Sequence, residues 1–127
     1  MLAVCQELEM EPGNDAIPKI ASGFGGGIGN TGAVCGAVVG AVMAISLKME
    51  RGETMEDWLR IASVVQEFRR RFEAEMGTIN CRELTGVDLT TLEGMKQSMT
   101  SGTAEKVCFP AVGTAYQIAL DVLESTS

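Results

Sequence analysis

Four cysteines, at positions 5, 35, 81 and 108, are the residues of this chain best suited to chemistry at neutral pH. Histidine is absent, which removes imidazole as general base, metal ligand or haem ligand, and with it most hydrolase and zinc-enzyme mechanisms. What remains belongs to thiols, carboxylates and backbone groups. Cys35 stands out by its setting. Residues 24–40 read FGGGIGNTGAVCGAVVG, a glycine-rich loop running into an apolar stretch with Cys35 expected near the first turn of a helix. The first N–H groups of a helix have no partner within it, and together with the macrodipole they favour a thiolate. The thiolate is the nucleophilic and metal-binding form of cysteine. The competing reading is a small buried apolar residue, which free cysteine often is. Cys81 has a comparable setting, because Asn80 can cap a one-turn helix through residues 81–84 that Gly86 stops.

The cysteine spacing contains no CxxC pair, so the zinc-ribbon, thioredoxin-type and c-type haem signatures are missing and any cysteine cluster has to be assembled by folding. Residues 27–32, GIGNTG, match GxGxxG. A dinucleotide fold needs a buried strand ahead of the glycines and a parallel sheet around them, whereas residues 17–23 have the look of a short helix. Gly27, Gly29 and Gly32 are therefore read first as a tight turn that lets the backbone pass close to another helix. As a candidate backbone site, their loop would turn N–H groups toward Cys35 and stabilise its thiolate or a bound sulfur.

The elements that must position the cysteines are helical. Leu2, Cys5 and Leu8 share a helical face, closed by Pro12 and Gly13. Asn14 or Asp15 can cap a second short helix ending at Gly23. A third helix should start near Asn30 or Thr31 and run to about Arg51, with Gly52 as its stop, and its apolar sequence predicts a buried central helix. Gly32, Gly36 and Gly40 would form a GxxxG ridge on it, open to a neighbouring helix in the core or across a dimer interface. Each such glycine costs about 1 kcal/mol relative to alanine. The apolar run, residues 33–47, is shorter than the roughly 20 residues of a membrane span, so no integral membrane protein is expected.

Thr54 with Asp57 resembles a capping box. The helix that follows places Trp58, Ile61, Ala62, Val65, Phe68, Phe72 and Met76 on one face, with its charges on the solvated side and Gly77 as its end. Asp88 is expected to cap a further helix to about Met99, with a break at residues 101–103. The last helix carries Cys108, Ala111, Val112, Ala115, Ile118, Ala119, Val122 and Leu123 on one side, with Pro110 either kinking it or lying in its first two turns. Nothing alternates with period two. The expected fold is all-α: one compact domain over residues 1–127, a bundle of about five to seven helices with a Gly-rich loop before a buried central helix.

Composition narrows function further. The 127 residues are 46% hydrophobic, enough for a core in a single domain. A formal charge of −7 repels phosphate and argues against nucleic acid and anionic membrane surfaces. The N-terminal segment MLAVCQELEM has acids in place of the basic and apolar regions of a signal peptide. A cytoplasmic location is expected, where cysteines are more often reactive or metal-binding than structural disulfides.

Several separated motifs agree in order: FGGGIG at residues 24–29, CGAVVG at residues 35–40, INCRELTG at residues 79–86 and VCF at residues 107–109. From about Ile17 to the last helix the chain resembles the C_GCAxxG_C_C family of small bacterial and archaeal redox-active proteins, whose members share four cysteines and whose activity is largely undefined. In the family the first cysteine lies in a segment resembling NCxQAV, ahead of a stretch similar to residues 2–8 here. Cys5 falls beyond that position, so no family role carries over to it and it is expected to be peripheral. Either that segment lies upstream of Met1, or this member has three of the four cysteines.

Together, the residues and the resemblance lead to the expectation of a thiol-based redox protein or electron carrier working with a redox partner protein. Cys35 would be the attacking thiol, with Cys81 and Cys108 as resolving partners. Two alternatives stay open. One is a non-catalytic module in which Cys35, Cys81 and Cys108 ligate an iron–sulfur cluster or another thiolate-bound metal, completed by a further thiol or carboxylate. The other is a structural helical interaction protein in which the cysteines are core residues.

Overall fold

The computed structural model describes residues 16–50 and 52–126, and the expected first helix, with Cys5 and the caps Asn14 and Asp15, lies outside them. Six α-helices follow in order: α1 Ala16–Ala21, α2 Gly36–Met49, α3 Met55–Met76, α4 Cys81–Thr85, α5 Leu92–Thr100 and α6 Phe109–Thr126. A 3-10 turn, Ser22–Phe24, extends α1, and a π-helical turn, Ala104–Cys108, precedes α6. No strand occurs among the described residues. No helix among them is long and apolar enough to cross a membrane. The all-α expectation holds.

The core forms where α2, α3 and α6 pack on one another. Its fully buried members include Ala44 and Ile45 from α2, Phe68 and Phe72 from α3, and Ala119 from α6. Phe68 and Phe72 lie one helical turn apart, so their rings stack with centroids 6.0 Å apart. The small residues of α2 and α6, among them Ala41, Ala44, Ala111 and Ala115, let these helices approach while the two phenylalanines fill the space from the third side. The buried face of α3 is slightly out of phase with the expected stripe. Val64 is buried within it, whereas Trp58 is exposed near its N-terminus, nearly two turns before the contact with the core begins at Val64.

The helix ends follow their local chemistry. Thr54 and Asp57 form the full capping box at the start of α3: Asp57 N donates to Thr54 Oγ1 at 3.1 Å and Thr54 N donates to Asp57 Oδ2 at 3.3 Å. Gly77 ends α3 in the left-handed region, as glycine allows. Three expected boundaries are corrected. Helix α2 starts at Gly36 and not near Asn30 or Thr31, because residues 33–35 are extended and paired elsewhere, as described below. It ends at Met49, and Glu50 rather than Gly52 takes the positive φ. The glycine at 52 answers a different need, since a Cβ there would strike the Asp57 side chain of the capping box. Finally, Thr91 and not Asp88 caps α5, with Gly94 N donating to Thr91 Oγ1 at 2.9 Å. Asp88 instead accepts from Thr90 N at 3.0 Å.

Candidate functional site

The cysteine end of the bundle is built from main chain. Ile28 and Asn30, with Gly26, Gly27, Gly29 and Gly32, have positive φ, and the run of left-handed residues coils the loop upon itself. Its N–H groups are then consumed internally: Gly29 N donates to Gly23 O at 2.8 Å, Gly32 N to Gly26 O at 3.1 Å and Ala33 N to Gly27 O at 3.0 Å. Thr31 Oγ1 closes the coil by donating to Gly27 O at 2.7 Å. Helix α1 and the 3-10 turn, not a strand, lead into these glycines, so the surroundings of a dinucleotide fingerprint are missing.

The loop delivers residues 33–35 to a short antiparallel ladder. Val34 pairs with Asn80 in an isolated bridge, flanked by Cys35 N donating to Ile79 O and Cys81 N donating to Ala33 O, both at 2.7 Å. Arg82 N adds a bond to Gly32 O at 3.1 Å. This pairing delays the start of α2 and leaves Cys35 as its N-cap residue, one position outside the first turn where the sequence had put it. It also brings Cys35 and Cys81 together across the ladder. Gly27 completes the fit, because a Cβ on it would lie 2.8 Å from Cys81 Cβ and 2.6 Å from Ala33 N. Gly32 is not part of a helix, so the glycine ridge of α2 reduces to Gly36 and Gly40. What approaches Gly36 is the Phe24 carbonyl, 3.3 Å from the position of a Cβ, rather than another helix.

Cys81 opens α4, with Asn80 in the N-cap position. The Asn80 side chain donates to Glu83 Oε1 at 2.9 Å instead of capping the helix. Cys81 is buried, and burial pushes its thiol above the ordinary cysteine range, with negative charge at Cys35 and then at Cys108 adding to the rise and a hydrogen bond from Thr85 opposing it. Desolvation therefore outweighs the helix N-terminus at this position, against the electrostatic expectation from sequence.

Cys108 ends the π turn and is exposed. The turn touches α4. Pro110 accounts for its shape: proline has no N–H for the carbonyl four residues back, and its ring crowds that carbonyl. The wider turn relieves the conflict, with Phe109 N reaching Ala104 O instead. Water is partly excluded from the Cys108 thiol, which raises its pKa, and negative charge at Cys35 raises it further.

Cys35, half-buried, is the third free thiol. Cys35 and Cys81 thus lie on the two sides of one ladder, and Cys108 ends a turn that touches the helix Cys81 opens. Among the described residues no three cysteine, aspartate or glutamate side chains are grouped to hold one metal ion, so these residues alone do not fit a cluster or metal. The ladder partners Ala33, Ile79 and Asn80, and the π turn, were not foreseen from sequence. Pro110 two residues after Cys108 was the available signal for the turn, whereas a single bridge leaves no alternation to detect.

No curated protein and no solved structure matches the chain. The model of the family described as "Putative redox-active protein (C_GCAxxG_C_C)" matches residues 1–122. With nearly its whole length matched, the chain belongs to the C_GCAxxG_C_C family.

Proposed function

We propose that this chain is a thiol-based redox protein that exchanges electrons with a partner protein in the cytoplasm, where free thiols persist. The observation that carries the reading is the placing of cysteines remote in sequence: Cys35 and Cys81 lie on the two sides of one short ladder, and Cys108 ends a turn that touches the helix Cys81 opens. Thiol–disulfide exchange needs an accessible attacking thiol and a second sulfur near enough to resolve the mixed disulfide. Cys35 is assigned the attack: it is half-buried rather than sealed, and it sits at the head of α2. Cys81 and Cys108 are the candidates for resolution.

The test is differential alkylation of protein prepared without air, read by peptide mass spectrometry before and after a cycle of oxidant and reductant. Rapid labelling of Cys35, followed by reversible loss of label at Cys35 and one other cysteine, supports the reading. Cys35→Ser is expected to abolish reversible oxidation while the far-ultraviolet circular dichroism stays that of the wild type. Undiminished cycling in that variant removes Cys35 from the mechanism.

A further inference from the structure

Resting on the thiol-exchange reading above, we infer that Cys81 is the sulfur that resolves Cys35, and that closing this bond opens the ladder between residues 33–35 and 79–81. Oxidation would then change the fold of the site as well as its chemistry.

Val34 faces Asn80, and the bonds on either side of that bridge, Cys35 N to Ile79 O and Cys81 N to Ala33 O at 2.7 Å each, set Cys35 opposite Ile79 and Cys81 opposite Ala33. Side chains alternate along an extended segment, so both cysteines leave the same face of the ladder, the one that Val34 and Asn80 turn away from. Two thiols remote in sequence are thereby held in one hydrogen-bonded unit.

The same register keeps them from bonding where they stand. Cys35 and Cys81 are diagonal neighbours, which lie about 7–8 Å apart at Cα, whereas disulfides usually span about 4.4–6.8 Å. Shortening the diagonal means sliding one segment along the other. That slide carries Cys35 N and Cys81 N off their acceptors together, so the reduced protein holds the ladder and the oxidised protein gives it up.

Helix α4 is the side that yields. Cys35 is the N-cap residue of α2, which is anchored by Val38 and Ala41 in the core. Helix α4 has five residues, of which it buries only Cys81, and it lies between Gly77 and Gly86, both at positive φ. Its departure also removes the bond from Arg82 N to Gly32 O. The glycine coil keeps its internal bonds and loses its ties to α4.

The exchange balances as a two-electron step. The Cys35 thiolate attacks one sulfur of an external disulfide, forming a mixed disulfide and releasing one thiolate. The Cys81 thiolate then attacks Cys35 Sγ, forming the Cys35–Cys81 bond and releasing the second thiolate. The two protons that the products take up come from the protein's thiols. Because Cys81 is buried and burial raises its pKa, it ionises readily only once the ladder has opened, which leaves the first attack to Cys35.

Glutathione disulfide serves as the probe. Reduced wild-type protein is exposed to it, quenched with acid, alkylated and mapped by mass spectrometry, and the two forms are compared by amide hydrogen exchange. The expected product is a peptide pair joined through Cys35 and Cys81, with protection lost at residues 33–35 and 79–82 and kept in α3 and α6. Cys108→Ser, a change at an exposed position, should close the same bond, whereas Cys81→Ala should stop at the glutathione adduct of Cys35. A wild type that closes Cys35 on Cys108, stops at the Cys35 adduct, or forms the Cys35–Cys81 bond with the ladder as protected as before overturns the inference while leaving thiol exchange standing. Failure of Cys35 to react with the probe at all overturns both.

Discussion

The two ends of this bundle are held by different forces. Around Phe68, Phe72, Ile45 and Ala119 the structure is sealed by side chains with no exposure, and stability there follows apolar area and packing. Around Cys35 and Cys81 it is held by main-chain hydrogen bonds of 2.7–3.3 Å among residues 23–35 and 79–82, with glycines where a side chain would not fit. The first arrangement tolerates exchange of one apolar residue for another of similar volume. The second depends on particular glycines and little on the other side chains. A scaffold made stable by its core is thus joined to a thiol site made accurate by its backbone.

Substitutions at the two ends should fail in different ways. The largest effect is expected from Phe68→Ala in the core, which should lower unfolding stability by about 3–5 kcal/mol. In urea denaturation Cys81, the buried thiol, should become reactive only as the helices melt, and its exposure well before loss of helicity would show that the two ends open independently. Gly27→Ala strikes the other end, where a Cβ would meet Cys81 and Ala33 at a φ of +76°. A loss of about 1–3 kcal/mol is expected from the strained backbone. Its distinguishing sign is faster alkylation of Cys81 under native conditions with circular dichroism unchanged. Protection of Cys81 equal to that of the wild type would refute the main-chain account of the site.

The smallest effect is a matter of pH. Cys81 and Cys108 both have raised thiol pKa values in the folded state, so the unfolded chain ionises first as pH rises. The stability they contribute is complete below the ordinary thiol value of about 8.5 and is lost as pH climbs from there through the folded values. Denaturation midpoints at neutral pH and near pH 10 should differ in that direction. The difference should shrink in Cys81→Ala when each variant is compared with itself across the two pH values.

What could be read in the sequence was whatever local chemistry decides. The Thr54–Asp57 box, the stops at Gly77 and Gly86 and the apolar face through Phe68 and Phe72 all depend on neighbours within a turn or two. The start of α2 was misplaced because Ala33 and Cys35 are claimed by Ala33–Cys81 and Cys35–Ile79 backbone bonds, partners that are remote in sequence. Trp58 was assigned to the buried face because periodicity gives the stripe but not where along it the core begins. For Cys81, the nearby helix N-terminus was visible and the burial that outweighs it was not. The Val34–Asn80 register that sets Cys35 and Cys81 on one ladder joins segments remote in sequence, and no local pattern carries it.

The Val34–Asn80 bridge has a consequence for the order of folding. It closes a loop that contains the whole of α2 and α3, and contacts so far apart in sequence form late, after local structure has reduced the entropy of bringing the ends together. The helical hairpin has to be largely assembled before Cys35 and Cys81 become neighbours. In a nascent or unfolding chain Cys35 and Cys81 are apart, so burial of Cys81 reports that the bundle has closed.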